Sequence, residues 1–388
     1  MGEAAVSEAI AHILERAACV GDVPGVVAAA ATKDRPIFEG GFGKRDLTTG
    51  DPMTSDTVVW IASLTKAITG ACAMQLVERE KLSLDASIKE VLPELGKVRV
   101  LEGFDDKGEP KLRAPRRDIT LRHLLTHTAG FGYNMWNSDI VRYMEKTGTP
   151  GTHSGMNAAL TTPLLFDPGE RWEYGISMDW VGKAVEATAG MRLGRYMKEN
   201  VFDPLGMNDT AFRIGAAQRQ RLARIHRRMP DGFVATNMEV PQEPEFEGGG
   251  GGLYSTVGDY LKFALMILHG GKLNGAQVLK PDTIALMSKN AMGDISCRPL
   301  KTATPHLTND LDFVDGMKWG LSFLINSEKS ATGRSPGSLA WAGLANSYYW
   351  IDPAQGVAGV FSTQILPFVD KKAVALFKDF ETEVYRAI

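Results

Sequence analysis

The chain has 388 residues, 44% hydrophobic and 23% charged, with a formal net charge of −3. That is enough chain for one large domain with an insertion or for two domains, and the slightly acidic balance excludes nucleic acid and anionic membranes as principal partners, since both call for basic patches. The densest basic run, Arg221, Arg224, Arg227 and Arg228, reads as a solvated helix face. Cys19, Cys72 and Cys297 are odd in number and far apart, which fits a reducing, cytoplasmic setting without a disulfide framework. Met1 through Val20 carries three acidic residues and helical periodicity, so it does not read as a secretory signal. No run of about 18 apolar residues is present to span a bilayer.

In chain order, Val6, Ile10, Ile13, Leu14 and Ala17 recur at helical spacing. Val26 to Thr32 and Ile37 to Gly43, joined by Lys33-Asp34-Arg35-Pro36, predict a β-hairpin, and Thr57 to Ile61 a short strand. From 86 to 212, Pro-Gly turns and helical patterns dominate and strands are few. Near the end, Trp319 to Ile325, Ser338 to Ala342, Ser347 to Ile351 and Gly356 to Ser362 read as strands, and Ala373, Phe377, Phe380 and Val384 mark one face of a closing helix. The expected architecture is α/β of the α+β kind: an antiparallel sheet flanked by the first and last helices, with a mostly helical insertion. On this reading 1–85 and 213–388 form the α/β domain, 86–212 form the helical one, and a cleft between them is where a site belongs.

Ser63-Leu64-Thr65-Lys66 places a hydroxyl and an amine three residues apart at the start of an uncharged helical run. Residues i and i+3 share a helix face, so the amine can reach the hydroxyl. A lysine becomes a base for serine only if burial lowers its pKa, and the apolar flanks suit that. The same tetrapeptide also fits a first-turn serine with a solvent-facing lysine. His123 and His127 have metal-compatible i, i+4 spacing but lack the glutamate after His123 and a third ligand, so no metal is expected. Gly248 to Gly252 lacks the Lys-Ser/Thr ending of a phosphate loop, and close backbone packing explains it better. Gly175-Ile176-Ser177-Met178-Asp179 falls short of a nucleophile elbow at its last position. Tyr174 stands ahead of a helical run from Ser177 to Thr188, and Trp341-Ala342-Gly343-Leu344 lies on an expected strand.

Taken together, these segments resemble the serine β-lactamase and penicillin-binding-protein superfamily, in the class C-like branch that includes family VIII carboxylesterases. The likeness runs through the Ser-x-x-Lys tetrapeptide, Lys81-Leu82-Ser83-Leu84-Asp85, Leu124-Leu125-Thr126-His127-Thr128-Ala129-Gly130, Pro168-Gly169 to Tyr174, Pro204-Leu205-Gly206-Met207 and Gly249 to Ser255. It implies Ser63 as nucleophile, Lys66 and Tyr174 as proton carriers, and the backbone N–H groups of Ser63 and Leu344 as oxyanion donors. A β-lactamase of this class is expected to have Tyr-x-Asn and Lys-Thr-Gly; here Ile176 and Trp341-Ala342-Gly343 stand in those places. An indole cannot pair with a carboxylate by charge, so the expected activity is a serine carboxylesterase on neutral, apolar esters, short-chain or moderately bulky, with no cofactor. Trp341, Gly343, Tyr133, Trp136 and Tyr348 are expected to bind substrate. β-Lactamase or D-alanyl peptidase activity, an acyltransferase and a non-catalytic penicillin-binding sensor are the rival readings.

Overall fold

A computed structural model describes residues 3–388. Met1 and Gly2, at the start of the stretch read as lacking a signal, lie outside the described residues. The first helix, Glu3–Cys19, buries Val6, Ile10, Leu14 and Ala17, as the periodicity predicts.

Seven strands form one antiparallel sheet in the order Lys318–Trp319, Leu324–Ile325, Leu339–Gly343, Ser347–Asp352, Val357–Ser362, Gly25–Thr32, Pro36–Gly43. The early strand Gly25–Thr32 pairs with the late strand Val357–Ser362, so the two ends of the sequence build one sheet. Alternation sends side chains to two layers. Tyr348 and Trp350 pack on Phe377 of the closing helix, Lys371–Arg386, whereas Tyr349 between them meets Tyr260 of the helix Val257–Leu268 on the other face.

The helix Thr65–Glu78 is buried from Thr65 through Leu76. A helix apolar on every side must lie in the interior, and its Ala, Gly and Cys residues let neighbours approach closely. It packs against Ser177–Ala189 from the mostly helical stretch.

Three expectations are corrected. The segment Trp319 to Ile325 is not one strand but two short ones, paired as a hairpin whose bend places Ser322 at φ +81°. The stretch 86–212 contains a β-hairpin, Val100–Phe104 with Pro110–Arg113, that its half-exposed side chains concealed. Arg227 and Arg228 lie on the strand His226–Met229, not on a helix, and Arg219, Arg221, Arg224 and Arg228 are paired with Glu239, Asp209, Asp46 and Asp370. Among the described residues, no helix is long and apolar enough to cross a membrane.

Candidate active site

Ser63 sits in a single helical turn, Ala62–Leu64, that runs directly into the buried helix at Thr65. Ala62, just before it, has φ +45°, a conformation that costs a non-glycine residue about 1–3 kcal/mol and persists only where its surroundings impose it. Ser63 itself is half-buried, so its hydroxyl remains reachable.

One turn on, Lys66 is 1% exposed, and its Nζ donates to Ser63 Oγ at 2.9 Å, Tyr133 Oη at 3.2 Å and the Gly250 carbonyl at 2.5 Å. Burial lowers its pKa from 10.5 to about 7, against an opposing pull from Asp179. Nζ also lies 4.7 Å from the Tyr174 ring centroid and 5.3 Å from that of Tyr133. Both rings favour the ammonium; the loss of hydration outweighs the pull of the acid.

Two strips of backbone laced together deliver Tyr174: Gly169 N–H donates to Thr128 O and Glu173 N–H to His127 O. The Tyr174 hydroxyl oxygen accepts the Trp341 indole N–H at 2.9 Å, and Tyr174 shares the lining of one cavity with Ser63. Burial raises its pKa well above the usual phenol value, so the hydroxyl stays protonated. His127 lies 4.9 Å from the Tyr174 ring and is held neutral by burial, with Lys66 nearby; neither ring nitrogen has a protein partner. His123 has a different task. Its Nδ1 accepts the Thr120 N–H and closes a capping box on Leu121–Leu125, so the two histidines do not converge. Among the described residues, no three His, Cys, Asp or Glu side chains are grouped to hold a metal ion.

A cavity opens over Ser63. Tyr133, Trp136, Tyr174, Trp341 and Leu344 line it, as do Trp60, Met135, Phe212, Pro241 and Phe246, which the sequence reading did not single out. Among the described residues, no arginine or lysine lines this cavity. Two residues expected to bind substrate lie elsewhere. Tyr348 points to the opposite face of the sheet from Trp341, stacks on Phe377 and donates to Asn346 Oδ1. Gly343 is a packing position: a Cβ there would stand 2.5 Å from the Ile61 carbonyl, so its absence lets the strand end approach the Ser63 turn and sets Leu344 beside it. Asp179 and the Gly250 carbonyl, both beside Lys66, were also missed.

This sheet, with the Ser63 turn packed against its strands Leu339–Gly343 and Ser347–Asp352 and a buried helix running on from that turn, is a β-lactamase and penicillin-binding-protein type of fold, and the family model described as Beta-lactamase matches residues 8–381. The chain belongs to that family. It is 33% identical over 349 residues to the monacolin J acid methylbutanoyltransferase of Aspergillus terreus, covering 86% of this chain and 83% of that protein. It is 30% identical over 377 residues to the lovastatin esterase of Penicillium rubens, covering 93% and 94%. Among solved structures, unliganded simvastatin synthase (LovD) from Aspergillus terreus is similar with a TM-score of 0.84 at 30% identity over 98% of both chains.

Proposed function

We propose that this member of a family of serine hydrolases and acyltransferases is a carboxylesterase that works through an acyl-enzyme on Ser63 and takes neutral, apolar esters. The observation that carries the reading is the 2.9 Å contact of Lys66 Nζ with Ser63 Oγ at the floor of an apolar cavity. As a neutral amine, Lys66 has two N–H groups and one lone pair. With the N–H groups given to Gly250 O and Tyr133 Oη, the lone pair faces Ser63 and can take its proton. Ser63 Oγ then attacks the ester carbonyl, and the backbone N–H groups of Ser63 and Leu344 receive the oxyanion, each such donor being worth about 2.7–4 kcal/mol in comparable sites. Tyr174, which lines the same cavity as Ser63, passes a proton to the departing alcohol, and water resolves the acyl-enzyme.

The lining supports esters over β-lactams. A β-lactam brings a carboxylate, and position 341 offers an indole whose N–H is already given to Tyr174; Ile176 is buried and supplies no amide. A second reading, transfer of the acyl group to an alcohol, is supported by the named activity of the Aspergillus terreus relative. The two share every step up to the acyl-enzyme and differ in what resolves it.

Ser63→Ala is expected to lower hydrolysis of p-nitrophenyl butyrate at least about 10³-fold. Retained hydrolysis would sink the proposal. Mass-spectrometric product analysis with a competing alcohol separates the two readings: free acid is expected to dominate for an esterase, and the new ester for a transferase.

A further inference from the structure

One of the acceptors around Lys66 belongs to a residue that a buried acid also grips. Gly250 O takes a Lys66 N–H at 2.5 Å, while Gly250 N–H donates to Asp179 Oδ1 at 2.9 Å. Asp179 is 2% exposed, and its second oxygen, Oδ2, is buried without a protein partner. A Cβ at position 250 would meet Oδ2 at 2.8 Å, Oδ1 at 3.0 Å and Tyr133 Oη at 3.0 Å. Only a glycine lets the carboxylate and the phenol crowd the same side of this backbone.

A side chain whose sole task was to accept one N–H could be an asparagine. A buried carboxylate with a single hydrogen bond is costly unless a cation lies close by. Lys66 becomes that cation when it takes the serine proton: burial raises the Asp179 pKa, and Lys66 and the Gly250 N–H pull it back down. The other titratable groups that face the pair are Tyr133 and Tyr174, both held protonated by burial, His127, which is neutral, and His153 at the cavity lining.

We propose that Asp179 is a positioning residue that balances the charge formed on Lys66 during acylation. As Ser63 Oγ bonds to the ester carbonyl carbon, its O–H bond breaks and the proton bonds to Lys66 Nζ. The new ammonium is held by Gly250 O and balanced by the Asp179 carboxylate. The proton then leaves through Tyr174 for the alkoxy oxygen of the departing alcohol, and Asp179 gains none. This inference rests on the acyl-enzyme reading and adds a counter-charge to it.

Asp179→Asn keeps an acceptor for Gly250 N–H and removes the charge. The expected result with p-nitrophenyl butyrate is a kcat at least about tenfold lower, a KM within about twofold of the wild-type value, and an acid limb of kcat/KM moved to lower pH, because the ammonium has lost its counter-charge. Asp179→Ala, which also orphans the Gly250 N–H, should lose more. An Asp179→Asn enzyme with wild-type kcat and pH profile overturns the proposal and leaves Asp179 as a cap. Should that variant not fold, carbon NMR of labelled aspartate decides: the Asp179 carboxyl must titrate at higher pH in Lys66→Met than in the wild type, and an unchanged titration overturns the proposal. Activity surviving in Ser63→Ala would instead remove the acyl-enzyme reading; an inactive Ser63→Ala beside an unaltered Asp179→Asn removes only the role of Asp179.

Discussion

Beside Ser63, between the buried helix and the glycine run, Lys66, Tyr133, Gly250 and Asp179 form a polar knot in which Lys66 Nζ lies within 3.2 Å of Ser63 Oγ, Tyr133 Oη and Gly250 O. In front of Ser63 the cavity wall is mostly aromatic and aliphatic, and its indole N–H at Trp341 is turned inward to Tyr174. On the proposed reading the polar side governs proton movement and the apolar side governs what enters. Their difference teaches that the substrate is to be recognised mainly by shape and burial, with Asp179 the one acid among the described residues of the lining.

The largest effect should come from breaking the polar side. Lys66→Met is expected to lower kcat about 10²–10⁴-fold, the range of a lost general base, with little change in KM, and steady-state kinetics would show it. In the unaltered enzyme, kcat/KM should rise with pH and level off above about 7, where the buried amine is neutral. Stability follows the same group with a definite sign. The unfolded chain holds a proton on Lys66 up to 10.5 and the folded one only to about 7, so between those values stability increases with pH. Urea melts across that window should show a positive slope that Lys66→Met flattens; equal slopes would mean that the amine is not desolvated. A smaller effect sharpens the boundary between the two sides. Trp341→Phe removes the N–H given to Tyr174 while keeping an aromatic wall, and should cost about 1–2 kcal/mol in kcat/KM, or roughly 5–30-fold. A loss confined to KM would show instead that Trp341 acts by touching substrate.

Much of the framework was legible because it is local. Continuous buried runs mark the strands around Ala28 and Tyr349, helical periodicity marks the helices at Ile10 and Phe380, and Ser63 with Lys66 is a one-turn spacing on a helix. What escaped is long-range or depends on parity. Asp179 and Gly250 are 71 residues apart, Lys66 and Gly250 184 apart, and no periodicity announces such contacts. The Gly248 to Gly252 run does lie against buried polar groups, and that was the available signal. Tyr348 was misplaced because a single step along a strand changes the face: Tyr349 is on the Trp341 side and Tyr348 is under the closing helix. Trp319 to Ile325 reads as one apolar run, and only the left-handed bend at Ser322 divides it.

The central claim, that Ser63 carries the acyl group, is tested most directly by trapping it. Enzyme mixed with p-nitrophenyl butyrate, quenched in acid within the first turnover, digested and mapped by mass spectrometry should show a butyryl group on the peptide containing Ser63, and none when Ser63→Ala is treated alike. A butyryl group on another residue, or turnover with no acylated peptide in either protein, would contradict the account.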